Sequence, residues 1–343
     1  MFRRTDCANA APRIVATARF IPTVRGAHHA NAEASSPRAQ RQVDAVMQSI
    51  YGDTLRWRDE CQPSSGNGSS LAPVRRADEP IAAQSDLSLS DMALRAARTL
   101  YETAPPQAAP DQIIVCSTSF EHDLALSCAG RLHSELGSSR PPFAIGQLQD
   151  VSFATALDVT LAMMAVDAAL NTVLIVAAER WSAPFSRHID LHTALADGAA
   201  AVLVARHPTP GWRVRGLTIC TPTTQAASSV IAKPVDSATV FGAINKALMQ
   251  AELRAAQMDW IVSAKIDSQL MRTVSAHGEL PLERIWHGDD DTRDHLCAAH
   301  TPACLAGITR AVSPHDGQHL LVCSAGFHGQ VACMILEFCE ARS

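Results

Sequence analysis

Residues 145–206, IGQLQDVSFATALDVTLAMMAVDAALNTVLIVAAERWSAPFSRHIDLHTALADGAAAVLVAR, decide the fold. A helix is predicted to begin at Asp150, because apolar residues then recur every three or four positions, at Phe153, Ala156, Leu157, Leu161, Met164 and Ala168. An apolar strand is predicted over 172–178, then a charged turn, Asp197-Gly198 and a second apolar strand. The helix has few polar residues and is expected to be buried nearly all round. Because free N–H groups in its first turn favour negative charge, this turn suits a reactive group.

The order of these features resembles the β-ketoacyl synthase III branch of the thiolase-fold condensing enzymes. The matching features are Phe-x-x-Ala-Leu after a helix start, a strand ending in Ala-Glu-Arg, and Asp-Gly-Ala-Ala-Ala-Val-Leu. The resemblance covers most of residues 86–343 in the order of elements. It implies an α/β thiolase-like fold, in which two duplicated α/β halves form layers in the order α-β-α-β-α.

The same resemblance divides the chain at residue 220. Residues 1–220 form the N-terminal half, with an irregular insertion at about 23–85, and residues 221–343 form the C-terminal half. The remaining elements follow from periodicity and turn residues. Strands are predicted at 13–22, 112–117, 212–220, 258–262, 320–324 and 331–337, and helices at 88–103, 238–256 and 303–312, with partly helical structure at 121–136.

The family carries a nucleophilic cysteine at the head of the central helix, in a Cys-x-Gly-Phe setting. The position that aligns with this cysteine, called the cysteine column below, holds Asp150. The position that aligns with the glycine holds Ser152, so the nucleophile is absent. Asp150 is predicted mainly as a helix cap in a disused site, with an acid–base or water-orienting role as the alternative. Ser152 is either a substitute nucleophile or a helix-start serine that bonds to backbone groups.

The resemblance also implies where the other catalytic groups lie. The turn Gly326-Phe327-His328-Gly329 matches the family turn that supplies an oxyanion donor. One histidine column falls on Ala264, so that histidine is lost. A related branch has Gly-His-Leu-Gly-Ala-x-Asp, which Asp294-His295-Leu296-Cys297-Ala298-Ala299-His300 resembles. His295 is then the candidate base and His300 replaces its acidic partner, or else His295 is a helix-start histidine with a solvent or backbone partner.

Composition narrows the class of protein. The 343 residues are 47% hydrophobic and 18% charged, which provides ample core for one large or two medium domains. A net charge of −5 without a dense basic run argues against nucleic acid as a partner, and no apolar run reaches the roughly 18 residues that span a bilayer. Ten cysteines without a CxxC pair indicate a reducing cytoplasm. No cofactor or metal site is expected.

Three functions remain open at this stage, and the simplest is a vestigial thiolase-fold protein that binds CoA thioesters without reaction. One lineage has the same aspartate in the cysteine column, the non-catalytic subunit of heterodimeric 2-alkyl-4-quinolone synthases. The resemblance to it implies a pseudoenzyme that supports a cysteine-bearing synthase III-like paralogue and handles acyl-CoA or acyl-carrier protein. The alternative is an independent acyltransferase or thioester hydrolase that uses His295 with Asp150 or Ser152, as a homodimer.

Overall fold

The structure is a computed structural model, and its first half contains seven strands and three helices among the described residues. Their bounds are β1 Arg13–Phe20, β2 Val24–Arg25, β3 Ile81–Ala82, α1 Leu89–Thr103, β4 Gln112–Ser117, α2 Cys128–Leu136, β5 Phe143–Gly146, α3 Val151–Val166, β6 Thr172–Glu179 and β7 Gly198–Ala205. The residues described throughout are 11–22, 24–25, 81–83, 86–103, 109–121, 126–181, 187, 194–206, 209–221, 235–264, 268–278, 280–288, 294–326 and 329–341.

The second half follows the same order of elements. Their bounds are β8 Gly211–Cys220, α4 Ser237–Ala251, β9 Trp260–Ala264, α5 Ser268–Gly278, β10 Ile285–Trp286, α6 His300–Val312, β11 His319–Ala325 and β12 Val331–Cys339. Single 3-10 turns stand before β9, before β10 and before α6. None of the helices within the described ranges is long and apolar enough to cross a membrane.

The strand order shows the duplication directly. The large sheet runs β10-β9-β11-β12-β8-β1-β7-β6-β4-β5, so the order within one half repeats in the other, outward from the junction of β8 and β1. Corresponding pairs also have the same direction: β4 is parallel to β5 and β6, and β9 is parallel to β10 and β11. The strand order assigns β8 to the second repeat. The division into domains at 220/221 stays a prediction.

Five layers result from the way the helices pack. Helices α3 and α6 contact strands of both halves and therefore lie between them. Helix α1 packs on the outer face of the first half, and α4 packs on the outer face of the second. The largest apolar cluster fills the space around α3 and α6. The predicted α-β-α-β-α layering is therefore confirmed, since both central helices bury their apolar residues between the two halves of the large sheet.

Several local predictions differ from the structure. Helix α3 is buried over most of its first three turns, but it ends at the surface, where Val166 is 88% exposed. The strands β5 and β10 and the helix α5 were not predicted, since four-residue and two-residue strands give almost no periodic signal. Most of the predicted insertion at 23–85 lies outside the described residues.

Candidate functional site

The loop before α3 has an uncommon backbone conformation. Gln147 and Gln149 have φ values of 64° and 48°, in the left-handed region that non-glycine residues rarely enter. The loop is held by Gln147, whose amide donates to the Ser117 carbonyl at 3.2 Å and whose side chain donates to the Thr118 carbonyl at 2.9 Å. These bonds fix the position of Asp150 at the head of α3. Such strained conformations cluster at functional sites.

Asp150 is completely buried, and its carboxylate bonds to the other central helix. Its Oδ1 accepts hydrogen bonds from the Thr301 amide at 3.0 Å and from the Thr301 hydroxyl at 2.7 Å. The prediction that Asp150 caps its own helix is wrong, because its side chain makes no capping bond there. Asp150 has helical backbone angles, φ −64° and ψ −20°, rather than the extended angles typical of a capping residue.

The carboxylate of Asp150 therefore caps α6 from outside that helix. Ala299 precedes α6 and has no side chain that could accept from the free amides of the first turn. Asp150 supplies that acceptor, and its negative charge also lies at the positive end of the α6 dipole. Asp150 thus links the N-termini of both central helices.

His295 has a backbone partner, as one of the two readings of the sequence proposed. It does not begin a helix: it forms an isolated parallel bridge with Leu195, flanked by hydrogen bonds to residues 194 and 196 of the first half. Its Nδ1 accepts from the Cys297 amide at 2.8 Å. A neutral imidazole has one accepting nitrogen, and here that nitrogen is already engaged. His295 therefore cannot take a proton at Nδ1 without losing this bond.

His300 stands beside His295 at the start of α6, with ring centroids 5.3 Å apart. Its Nδ1 faces the Leu296 amide at 3.4 Å, and its Nε2 lies 3.6 Å from the Cys304 sulfur, one helical turn away. Both contacts lie within the buried loop and helix, where His300 is 2% exposed. The two histidines are therefore brought together, but each ring is held by its own segment.

Glu179 joins three segments of the site, and the sequence analysis did not identify it as a site residue. Its Oε1 accepts from the amides of Thr118 and Ala298 at 2.8 and 3.0 Å, and its Oε2 accepts from the Ser119 amide at 2.7 Å. Burial raises the pKa of this fully buried carboxyl, while its hydrogen bonds act in the opposite direction. The sequence feature that could have identified Glu179 is its position as an ionisable residue at the end of an apolar strand.

Asp197 forms a buried ion pair that supports the segment facing His295. Arg187 donates to Asp197 Oδ1 and Oδ2, both at 2.8 Å, and also to the carbonyls of Trp181 and Leu195. The Gly198 that follows is closely packed: a Cβ there would lie 2.9 Å from Leu296 Cδ2 and 3.3 Å from the Phe20 carbonyl oxygen. The Asp-Gly motif therefore holds the histidine-bearing loop against the first half.

Ser152 is buried without a hydrogen-bond partner for its hydroxyl among the described residues. Its predicted bond to a helix-start backbone group is therefore absent there, although its own amide donates to the Gln149 carbonyl and its carbonyl accepts from Cys116. Neither candidate base is seen to contact its hydroxyl.

The predicted oxyanion turn lies beside the head of α3. A Cβ on Gly326 would be 3.1 Å from Gln149 Oε1 and 3.4 Å from the Leu148 carbonyl. The amide of Gly326 donates to the Gln330 carbonyl, and the amide of Gly329 donates to the Gly326 carbonyl. Both amides are therefore used within the turn. Phe327 of this turn lies outside the described residues.

Thiols near the site are kept protonated by their surroundings. Burial, together with Glu179, raises the pKa of Cys116. Burial, Glu179 and Asp150 raise the pKa of Cys297. Since the thiolate is the reactive form, burial makes both side chains slow nucleophiles. Within the described ranges, no three His, Cys, Asp or Glu side chains converge as a metal site would require.

Comparison with known proteins supports the condensing-enzyme resemblance in one segment. Residues 149–222 match the family of 3-oxoacyl-[acyl-carrier-protein] synthase III. The matched segment runs from the head of α3 to the end of β8, and so contains Asp150, Ser152, Glu179 and Asp197.

Solved structures resemble the whole chain. The acyltransferase ChlB3 is 17% identical with a TM-score of 0.68, over 96% of this chain and 98% of its own. Synthase III from Pseudomonas aeruginosa PAO1 is 16% identical with a TM-score of 0.67, over 97% and 100%. A variant of OleA from Xanthomonas campestris is 16% identical with a TM-score of 0.64, over 95% and 98%. The fold is therefore the thiolase-like fold that the sequence predicts.

Proposed function

We propose that this chain is a synthase III-like subunit without its own acyl-accepting nucleophile. It supports a cysteine-bearing paralogue in a heterodimer that condenses acyl groups from acyl-CoA or acyl-carrier protein. The aspartate in the cysteine column resembles the non-catalytic subunits of alkylquinolone synthases, so we extend the proposal to a comparable secondary-metabolite pathway.

The observation that carries the proposal is the pairing of Asp150 with Thr301. One oxygen of the carboxylate, Oδ1, accepts two hydrogen bonds from α6, and the whole residue is excluded from solvent. A carboxylate in this position stabilises the junction of two helices, as a capping group does. This is a structural role that a thiol would fill poorly, because sulfur is a weak acceptor.

A face for the partner is available next to this site. Strand β5 is the last strand of the large sheet and pairs only with β4 among the described strands. Its other edge offers backbone groups that a second chain can extend. Because β5 leads directly into the loop that carries Asp150, a partner bound there would contact the site loop of this chain.

Co-expression with the cysteine-bearing synthase III-like protein of the same genome tests the proposal. We expect the two chains to purify together in equal amounts and to form a condensed product. Ala144→Lys places a charge on the exposed position of β5 and should prevent this association. Met249→Lys, on an exposed position of α4, is the matched control and should leave it intact. A stable and active homodimer without a partner would contradict the proposal.

The alternative, an independent acyltransferase or hydrolase, has less support. It requires His295 as a base with Asp150 or Ser152 as its partner. Asp150 is bonded to Thr301, and the Nδ1 of His295 is bonded to Cys297. The Ser152 hydroxyl has no hydrogen-bond partner among the described residues, and no contact to a base activates it.

A further inference from the structure

Two buried thiols face each other in the hairpin of β11 and β12. Cys323 and Cys333 are directly paired in the antiparallel register. The Cys333 thiol donates to the Cys323 sulfur, with the two sulfur atoms 3.3 Å apart. Both residues are fully buried beneath the outer helices of the second half.

The backbone at this pair already has the spacing that a disulfide needs. Directly opposed residues of antiparallel strands have Cα atoms about 4.5 or 5.5 Å apart. Disulfides span Cα separations of about 4.4–6.8 Å. Closing the bond therefore requires only that the two sulfur atoms approach to about 2.0 Å.

A third thiol nearby does not have this spacing. Cys220 of β8 pairs with Val331 rather than with Cys333, so it lies diagonal to Cys333. Diagonal positions on neighbouring strands are about 7–8 Å apart, which is beyond the usual span of a disulfide. Cys220 is also partly exposed, whereas the other two thiols are not. The register thus singles out one pair of the three.

We propose that Cys323 and Cys333 are a site of reversible oxidation, at which a hydroperoxide converts the two thiols into a disulfide. One thiolate attacks the peroxide oxygen, gives a sulfenic acid and releases water when hydrogen peroxide is the oxidant. The second thiol then attacks the sulfenic sulfur, forms the S–S bond and releases a second water. Each sulfur loses one electron to the peroxide, so the step is balanced.

The bond would fix the hairpin next to the candidate site. Cys323 and Cys333 each stand two residues from the end of their strand at the turn, and that turn packs on Leu148 and Gln149. Burial raises the pKa of Cys333, so the reaction is expected to be slow. The inference is independent of the proposed function.

The test uses the full-length reduced protein and hydrogen peroxide. Chymotrypsin cuts after Phe327 and separates the two cysteines, which trypsin cannot do, because residues 324–332 contain no Lys or Arg. We expect a peptide pair linked through Cys323 and Cys333, a loss of two hydrogens in the intact mass, and reversal by a phosphine. The oxidised protein should also unfold at a higher temperature, since the bond restricts the unfolded chain.

Oxidation of the partly exposed Cys220 shows that the oxidant has reacted with the protein. Cys220→Ala should retain the cross-link and Cys323→Ala should abolish it. A cross-link between Cys220 and Cys333, or no Cys323–Cys333 link after Cys220 has itself been oxidised, would overturn the proposal.

Discussion

Asp150 shows how a buried carboxylate joins the two central helices. Its carboxylate accepts two hydrogen bonds from Thr301, and one of them comes from a hydroxyl that the substitution Thr301→Val removes. A hydrogen bond to a charged group contributes about 1.5–3 kcal/mol, so we expect a loss of about 2 kcal/mol in the free energy of unfolding. Denaturant unfolding measures it.

The control for this prediction is a threonine on the same pair of helices. The Thr155 hydroxyl donates to the Val151 carbonyl within α3, so Thr155→Val removes only a local bond. Its effect should stay within about 0.5 kcal/mol. Equal effects of the two substitutions would show that the bond between Asp150 and Thr301 has no special weight.

The sequence predicted part of this residue-scale picture. Periodicity placed Asp150 at the head of a central helix, because that information lies within one helix. It could not identify Thr301 as the partner, since the two residues are 151 positions apart and meet only after both halves have packed. For the same reason, the wrong helix was predicted to receive the cap.

Helix α4 illustrates packing at the scale of elements. Gly216 of β8 lies so close to α4 that a Cβ would be 2.2 Å from the Ala247 carbonyl. Gly216→Ala therefore has to displace backbone, and overpacking of this kind costs about 1–3 kcal/mol. Thermal or denaturant unfolding should show the loss.

Gly242 on the same helix provides the opposite case. A Cβ there meets no atom within 4 Å, so Gly242→Ala is tolerated by the neighbours. Because glycine in a helix interior is less favourable than alanine by roughly 0.5–1 kcal/mol, this substitution should stabilise the protein. A stabilising Gly216→Ala or a strongly destabilising Gly242→Ala would contradict the packing of α4 described above.

Element prediction succeeded where apolar residues recur regularly. The strand Gln112–Ser117 was predicted with its observed bounds, and the first strand, Arg13–Phe20, lies within the predicted range 13–22, since each is an apolar or alternating run. Helix α5 was missed because its sequence is polar and only a few of its residues, such as Met271 and Val274, are buried. A helix with so weak an amphipathic pattern can be identified only when the structure shows the surface against which it packs.

At the scale of the whole molecule, Glu337 connects two strands of the second half's sheet. Burial raises the pKa of Glu337, but hydrogen bonds and charges from Arg213 and Arg215 outweigh burial and leave it below its ordinary value. A lowered pKa means stability that is fully present above about pH 4.5 and is lost as the pH falls through the folded-state value.

Glu337→Gln should therefore destabilise the protein at neutral pH by about 1–2 kcal/mol. The difference from the unchanged protein should shrink as the pH falls below about 4.5, where the unfolded-state glutamate becomes protonated. Denaturant unfolding between neutral and acidic pH measures both effects. Glu283→Gln, at an exposed position, is the control and should show neither. A difference that grows toward acidic pH would have the wrong sign for this account.

The arrangement of the two halves was the large-scale feature that could be predicted best. That prediction came from the family resemblance and not from composition. The duplication is evident in the repeated strand order, although the sequence shows no internal identity that reveals it. The contact between the two central helices could not be predicted from the sequence. It depends on how the two halves of the large sheet pack around α3 and α6.

The most direct test of the central claim is the intact mass of the purified chain after incubation with a series of medium-chain acyl-CoA thioesters, together with the release of free CoA. A cysteine-bearing synthase III is the positive control. If Asp150 is a structural link between helices, the mass stays unchanged and no CoA is released. An acyl adduct at residues 150–152, or a CoA release that His295→Ala abolishes, would contradict the account and make this chain an enzyme in its own right.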